Sequence, residues 1–147
     1  MNTNSYKMKY KEWRNPSSLH EETIRCISEL EFIDDEIQFL SDLIKEFTLE
    51  LISGKNFEES KAIINDLSAY KKALKPLLKE IEIHKNDLQT LLDDIDIPDE
   101  EDDYQIVHDK LISEARAYNL KVRKLKTKIF GLIKEIMKVS KQKRLLK

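Results

Sequence analysis

The chain has 147 residues, of which 40% are hydrophobic and 37% charged, with a formal net charge of −2. That length sets the scale of one domain of ordinary size. Two glycines and three prolines leave little material for turns, which disfavours sheet and favours long amphipathic helices; regularly spaced leucines and isoleucines argue against disorder.

Cys26 is the single cysteine, so an internal disulfide is excluded. A free thiol on an apolar helix stripe acts as a small hydrophobe and suits a reducing compartment. No hydrophobic run approaches the ~20 residues of a membrane span, and residues 1–14 lack the apolar core of a signal peptide. The expectation is a soluble cytoplasmic protein. The small net charge hides a segregation: +3 over residues 1–16, −15 over 17–120 and +10 over 121–147. Such asymmetry says more about partners than the total does.

Residues 1–16 read as a basic-aromatic N-terminal arm. Tyr6, Tyr10 and Trp13 share a face if the arm is helical, while Tyr6, Met8 and Tyr10 alternate with lysines as in a strand. These aromatics either cover an end of the core or contact a partner. Residues 17–147 are predicted to be one bundle. Asn15-Pro16 stops any preceding helix, and Ser18 with Glu21 has the spacing of a capping box, so helix 1 is expected over about 19–53. Its stripe runs Leu19, Thr23, Cys26, Leu30, Ile33, Ile37, Leu40, Ile44, Phe47 and Leu51. Gly54 is expected to end it in a left-handed cap.

Asn56 can cap a second helix over about 57–94, with the stripe Ser60, Ile63, Leu67, Tyr70, Leu74, Leu77, Ile81, His84, Leu88, Leu91 and Ile95. Pro76 lies inside it and removes one backbone hydrogen bond, which predicts a kink there. Residues 93–103 hold eight acids and Pro98. They read as a solvated loop; a calcium loop would need a glycine at its sixth position.

The third helix, about 103–146, organises the rest. Tyr104, His108, Leu111, Ala115, Tyr118, Val122, Leu125, Ile129, Leu132, Ile136 and Val139 recur at spacings of four and three, which places them on one helix face. At 1.5 Å per residue such a helix would be about 65 Å long. It needs partner helices of similar length. The predicted fold is therefore all-α: an elongated, coiled-coil-like antiparallel three-helix bundle. Ile129, Phe130, Leu132, Ile133, Ile136, Met137 and Val139 span about half the circumference, the width expected of a helix that touches two neighbours.

The search for chemistry is mostly negative. No histidine has a glutamate three residues before it, so the Glu-x-x-His pair of di-metal bundles is missing. A lone cysteine defeats the common zinc patterns. Gly54 and Gly131 are isolated, so no phosphate loop is present. No cofactor or metal is expected. His84 and His108 fall on core stripes, either as a buried pH switch or as satisfied core histidines; Glu80 is the expected partner of His84. Antiparallel geometry turning near Pro98 places His84 opposite residue 112 rather than opposite His108.

The basic end is the main functional signal. Lys138, Lys141, Lys143, Arg144 and Lys147 lie where the third helix is expected to outrun its neighbours. Together with Tyr6, Tyr10 and Trp13 they are the candidate partner-binding residues. The expected function is a non-enzymatic interaction or scaffold module acting through charged helix surfaces, with another protein as partner. The alternative is contact with nucleic acid or an anionic membrane through the basic tip; self-association of acidic and basic regions is also open, and an enzyme comes last. A solvated, frayed helix end explains the same residues without any partner.

Overall fold

The computed structural model describes residues 15–93 and 98–146, with side chains over 15–93 and 104–146. Tyr6, Tyr10, Trp13 and the rest of the arm before Asn15 lie outside the described residues, as does Lys147. Helices make up 95% of the described residues, and no strand occurs among them. The order is α1 (Pro16–Glu46), α2 (Thr48–Ser53), α3 (Phe57–Asp93) and α4 (Pro98–Leu145). The arrangement is bundle-like.

Two long helices begin on a proline. The Asn15 side chain accepts a hydrogen bond from the Ser18 N–H at 2.8 Å, and its carbonyl accepts from the Leu19 N–H at 3.2 Å. Asn15 is therefore the N-cap, not Ser18, and Pro16 takes the first helical position. Proline is favoured there because its missing N–H has no intrahelical partner to lose and its φ is already helical. Pro98 opens α4 in the same way. The acids after it suit the positive end of the helix dipole. The expected solvated loop is thus shorter: residues 98–103 belong to α4.

The predicted first helix is interrupted at Phe47. Its φ of −105° and ψ of 18° leave the helical region, and its N–H is shared between the Leu43 and Ile44 carbonyls at 3.3 and 3.2 Å. The Thr48 hydroxyl donates to the Ile44 carbonyl at 3.0 Å and meets the Lys45 carbonyl at 2.9 Å. A side chain thereby takes over carbonyls that end α1. Gly54 does not form the expected left-handed cap: its φ is −85° and ψ 172°. Its small size matters for another reason, since an added Cβ would lie 3.0 Å from the Glu50 carbonyl oxygen.

The helices gather into two compact units. Unit 1 comprises Met1–Glu31 and Lys75–Ala117; unit 2 comprises Phe32–Leu74 and Tyr118–Lys147. Unit 1 buries Leu19, Thr23, Cys26, Ile27 and Leu30 of α1, Ile81, His84, Leu88 and Leu91 of α3, and Gln105, His108, Leu111, Ile112 and Ala115 of α4. Burial pushes the Cys26 thiol up to about 11, helped by the Glu29 and Glu22 carboxylates and opposed by Arg116.

Unit 2 buries Ile33, Ile37, Leu40 and Ile44 of α1, Leu51 of α2, Ser60, Ile63, Leu67 and Leu74 of α3, and Tyr118 through Ile133 on the α4 stripe. The Tyr118 hydroxyl donates to the Tyr70 carbonyl at 2.8 Å, and the two rings meet edge to face at 6.3 Å. Burial, then the Asp34 carboxylate, then Tyr70 push the Tyr118 phenol up. Further along, Ile44, Leu51, Ile63, Ile129 and Leu132 line one small void. Within this unit α4 therefore runs antiparallel to α3 and parallel to α1. Each fully buried Leu or Ile contributes about 1.5–3 kcal/mol at most, so this stripe is what holds the helices together.

Candidate functional site

The buried stripe of α4 stops at Ile133. Every described residue from Lys134 to Leu146 is exposed except Ile136, which is half-buried. The apolar sequence does not stop there. Phe130, Met137 and Val139 are 44%, 56% and 48% exposed. The wide apolar arc expected to touch two neighbours is therefore only partly covered. Leu132 and Ile133 turn inward, whereas Phe130 and Met137 look out into an open groove of about 580 Å³. Phe47 and Glu50, at the junction of α1 and α2, form the other wall.

The groove is asymmetric in charge. Phe130, Ile133 and Met137 succeed one another at spacings of three and four, the signature of a single row on a helix. Lys134, Lys138 and Lys141 form a second row beside it, and all three line the groove with Arg144. Among the described residues, no ion pair engages these four cations. Glu46, Glu50, Glu58 and Glu59, the acids on the other helices that the sequence offers to neutralise part of the basic end, form no ion pair with it among the described residues. Lys126 alone of the α4 lysines pairs among the described residues, at 2.7 Å from Glu36. Of the candidate binding residues, Lys138, Lys141 and Arg144 converge on the groove; Lys143 is exposed but not part of its lining.

A second exposed apolar row lies on α1 within the same unit. Phe32 and Phe39 are 64% and 57% exposed, and Asp35, Asp42 and Glu46 run along the same side of the helix at spacings of seven and four. No basic residue occurs between Arg25 and Lys45. The core stripe does not include this face. Its signal in the sequence is the seven-residue interval between two phenylalanines out of phase with Ile33, Ile37 and Leu40.

The polar centre of unit 1 is different in kind. His84 and His108 meet: His84 Nε2 lies 3.0 Å from His108 Nδ1, with ring centroids 5.1 Å apart. The predicted separation of the two histidines, and the predicted pairing of His84 with Glu80, are both wrong. α4 begins at Pro98 instead of about residue 103, so fewer residues separate it from α3 and His108 draws level with His84. His108 Nε2 lies 2.7 Å from Glu22 Oε1 and donates its proton to that carboxylate. With one proton per ring, His108 Nδ1 then accepts from His84 Nε2–H. His84 Nδ1 remains a buried lone pair without a partner, a smaller cost than an unpaired N–H. The Thr23 hydroxyl donates to the Leu19 carbonyl at 2.7 Å and stands 3.3 Å from His108 Nδ1. Burial first, and the neighbouring His108 second, lower the His84 pKa to about 4.

The two rings of this cluster are buried, with His84 2% and His108 0% exposed. Among the described residues no group of three or more His, Cys, Asp or Glu side chains is placed to hold a metal. No helix there is long and apolar enough to cross a membrane. No family model, curated protein or solved structure matches the chain. The groove at the end of α4 joins exposed apolar groups to cations that have no ion pair among the described residues.

Proposed function

We propose that this chain is a non-enzymatic interaction module whose contact surface is the C-terminal part of α4. One observation carries this: the apolar row of α4 continues beyond its last buried position and is edged by lysines that have no ion pair among the described residues. Exposed apolar surface rimmed by charge is typical of a docking site, and a concave floor between helices suits a protein helix. The partner is another protein with acidic character.

Nucleic acid or an anionic membrane, met through Lys138, Lys141, Lys143 and Arg144, is the second reading. The same unpaired cations favour it. An apolar floor adds nothing to phosphate contacts, however, and Glu50 on the opposite wall repels an anionic surface. In this proposal the architecture is an antiparallel three-helix bundle in which α1 and α2 act as one arm and α3 bends near Pro76. The protein works in the cytoplasm and needs no cofactor.

The test uses the whole chain, wild type and Met137→Glu. Partners retained by affinity capture are identified, purified and titrated against both. The expected result is a loss of affinity of about tenfold or more for the variant, since a buried unpaired charge costs more than about 1.4 kcal/mol. Parallel titrations with duplex nucleic acid and anionic vesicles at two salt concentrations decide the second reading. Binding there that falls steeply with salt and ignores Met137→Glu would replace the first.

A further inference from the structure

We propose that the groove of unit 2 receives the Phe32–Phe39 face of α1 from a second copy of this chain. The inference rests on reading the end of α4 as an interaction surface, and it names the occupant.

Two exposed faces of one unit match in three respects. Both are apolar rows: Phe130 and Met137 on α4, Phe32 and Phe39 on α1. Both pairs are seven residues apart, about 10.5 Å along a helix at 1.5 Å per residue. The charges beside them repeat at the same interval with opposite sign. Lys134 and Lys141 edge the first row, and Asp35 and Asp42 edge the second. Two helices laid side by side at about 8–10 Å thus bring two apolar pairs and two charge pairs into register together. A heptad interval is what lets one helix track another over successive turns.

The charges are available for this. Lys134 and Lys141 have no ion pair among the described residues. Asp42 accepts one hydrogen bond, from Gln38 at 3.1 Å, and keeps its second carboxylate oxygen for a lysine. Glu36, the acid that does pair within the unit, is held by Lys126 and sits on the other side of the Phe32–Phe39 row. Because groove and face are different patches of one unit, a copy can offer its face to one neighbour and its groove to another, so the contact is heterologous and runs head to tail unless a rotation closes it.

The experiment is sedimentation of the full chain over a range of concentrations at low ionic strength. Four samples are compared: wild type, Lys134→Glu/Lys141→Glu, Asp35→Lys/Asp42→Lys, and an equimolar mixture of the two variants. All four positions are exposed, and helical circular dichroism confirms that the variants fold. Wild type is expected to associate. Each variant alone sets like charges against each other and is expected to associate about tenfold or more weakly. The mixture restores opposite charges across both contacts and is expected to recover the wild-type assembly. A wild type that stays monomeric throughout overturns the proposal. So does association that the variants leave unchanged, and so does a mixture that fails to recover it. If wild type is monomeric yet Met137→Glu still abolishes binding of a different, captured protein, the second copy is rejected and the interaction surface stands. If that variant has no effect on any partner either, both fall.

Discussion

Acidification should destabilise this protein through His84, and the amount can be worked from its surroundings. His84 is buried, its Nε2 is bonded to His108 Nδ1, and its Nδ1 has no partner. On the α1 side Glu22 and Thr23 contact His108. A proton added to His84 would be buried and would face His108. The folded pKa is therefore lowered from 6.5 to about 4, by burial first and His108 second. Between those two values the unfolded chain binds more protons than the folded one, so stability falls as pH falls. From linkage, about 2 kcal/mol is lost by pH 5 and about 3 kcal/mol by pH 4, relative to pH 7. Carboxylates titrate in the same range, so the comparison must be with His84→Leu. That variant is expected to lose about 1–3 kcal/mol at pH 7, because His108 Nδ1 loses its donor. Its further decline towards pH 4 should be shallower than that of wild type by about 3 kcal/mol. Urea unfolding followed by circular dichroism at pH 7, 5 and 4 measures both. Parallel declines in the two proteins would refute the reasoning and show that His84 takes up its proton without penalty.

Three other outcomes are expected. Leu40→Ala, at a position 0% exposed, should cost about 2–5 kcal/mol in urea unfolding, as for other buried leucines. Asn15→Ala should cost about 1 kcal/mol through loss of the bond to the Ser18 N–H, whereas Ser18→Ala should be close to neutral. Cys26, buried and with its thiol pushed up to about 11, should be alkylated at pH 8 far more slowly than a free thiol, and a labelling rate unaffected by adding urea would contradict its burial.

The core was legible because a stripe at intervals of three and four is a direct statement of which residues share a helix face. Leu30, Ile33, Ile37, Leu40, Leu111, Ala115, Val122 and Leu125 are buried as that periodicity requires. The helix ends were less legible, and both cases share one cause. Pro16 and Pro98 end whatever helix precedes them, yet a proline is equally suited to the first position of the next one. The resulting difference of about five residues at the start of α4 moves His108 by more than one turn, which is why the histidine pair does not show in the spacing. The break at Phe47 was not legible either. It depends on which carbonyls the Thr48 hydroxyl chooses, and composition does not fix that choice. At the candidate site the lysines were evident from charge alone. The apolar half was not, because periodicity shows that Phe130 and Met137 can be buried and not whether a neighbour reaches far enough to bury them.

Both units are discontinuous in the chain, and this has a consequence for synthesis. Unit 1 closes with the segment ending at Ala117, and unit 2 needs the segment from Tyr118 onward. Chains emerge from the ribosome at about 5–20 residues per second, amino end first. The first half of α4 is therefore delivered while Ile33, Ile37 and Leu40 still lack their α4 partners. Unit 1 can assemble first, leaving the apolar side of α1 beyond Phe32 without its α4 partners for a few seconds. In that interval an acidic, aromatic helix is open to neighbouring nascent chains on the same message, and the lysine-edged groove that would receive it in the proposed assembly is made after it.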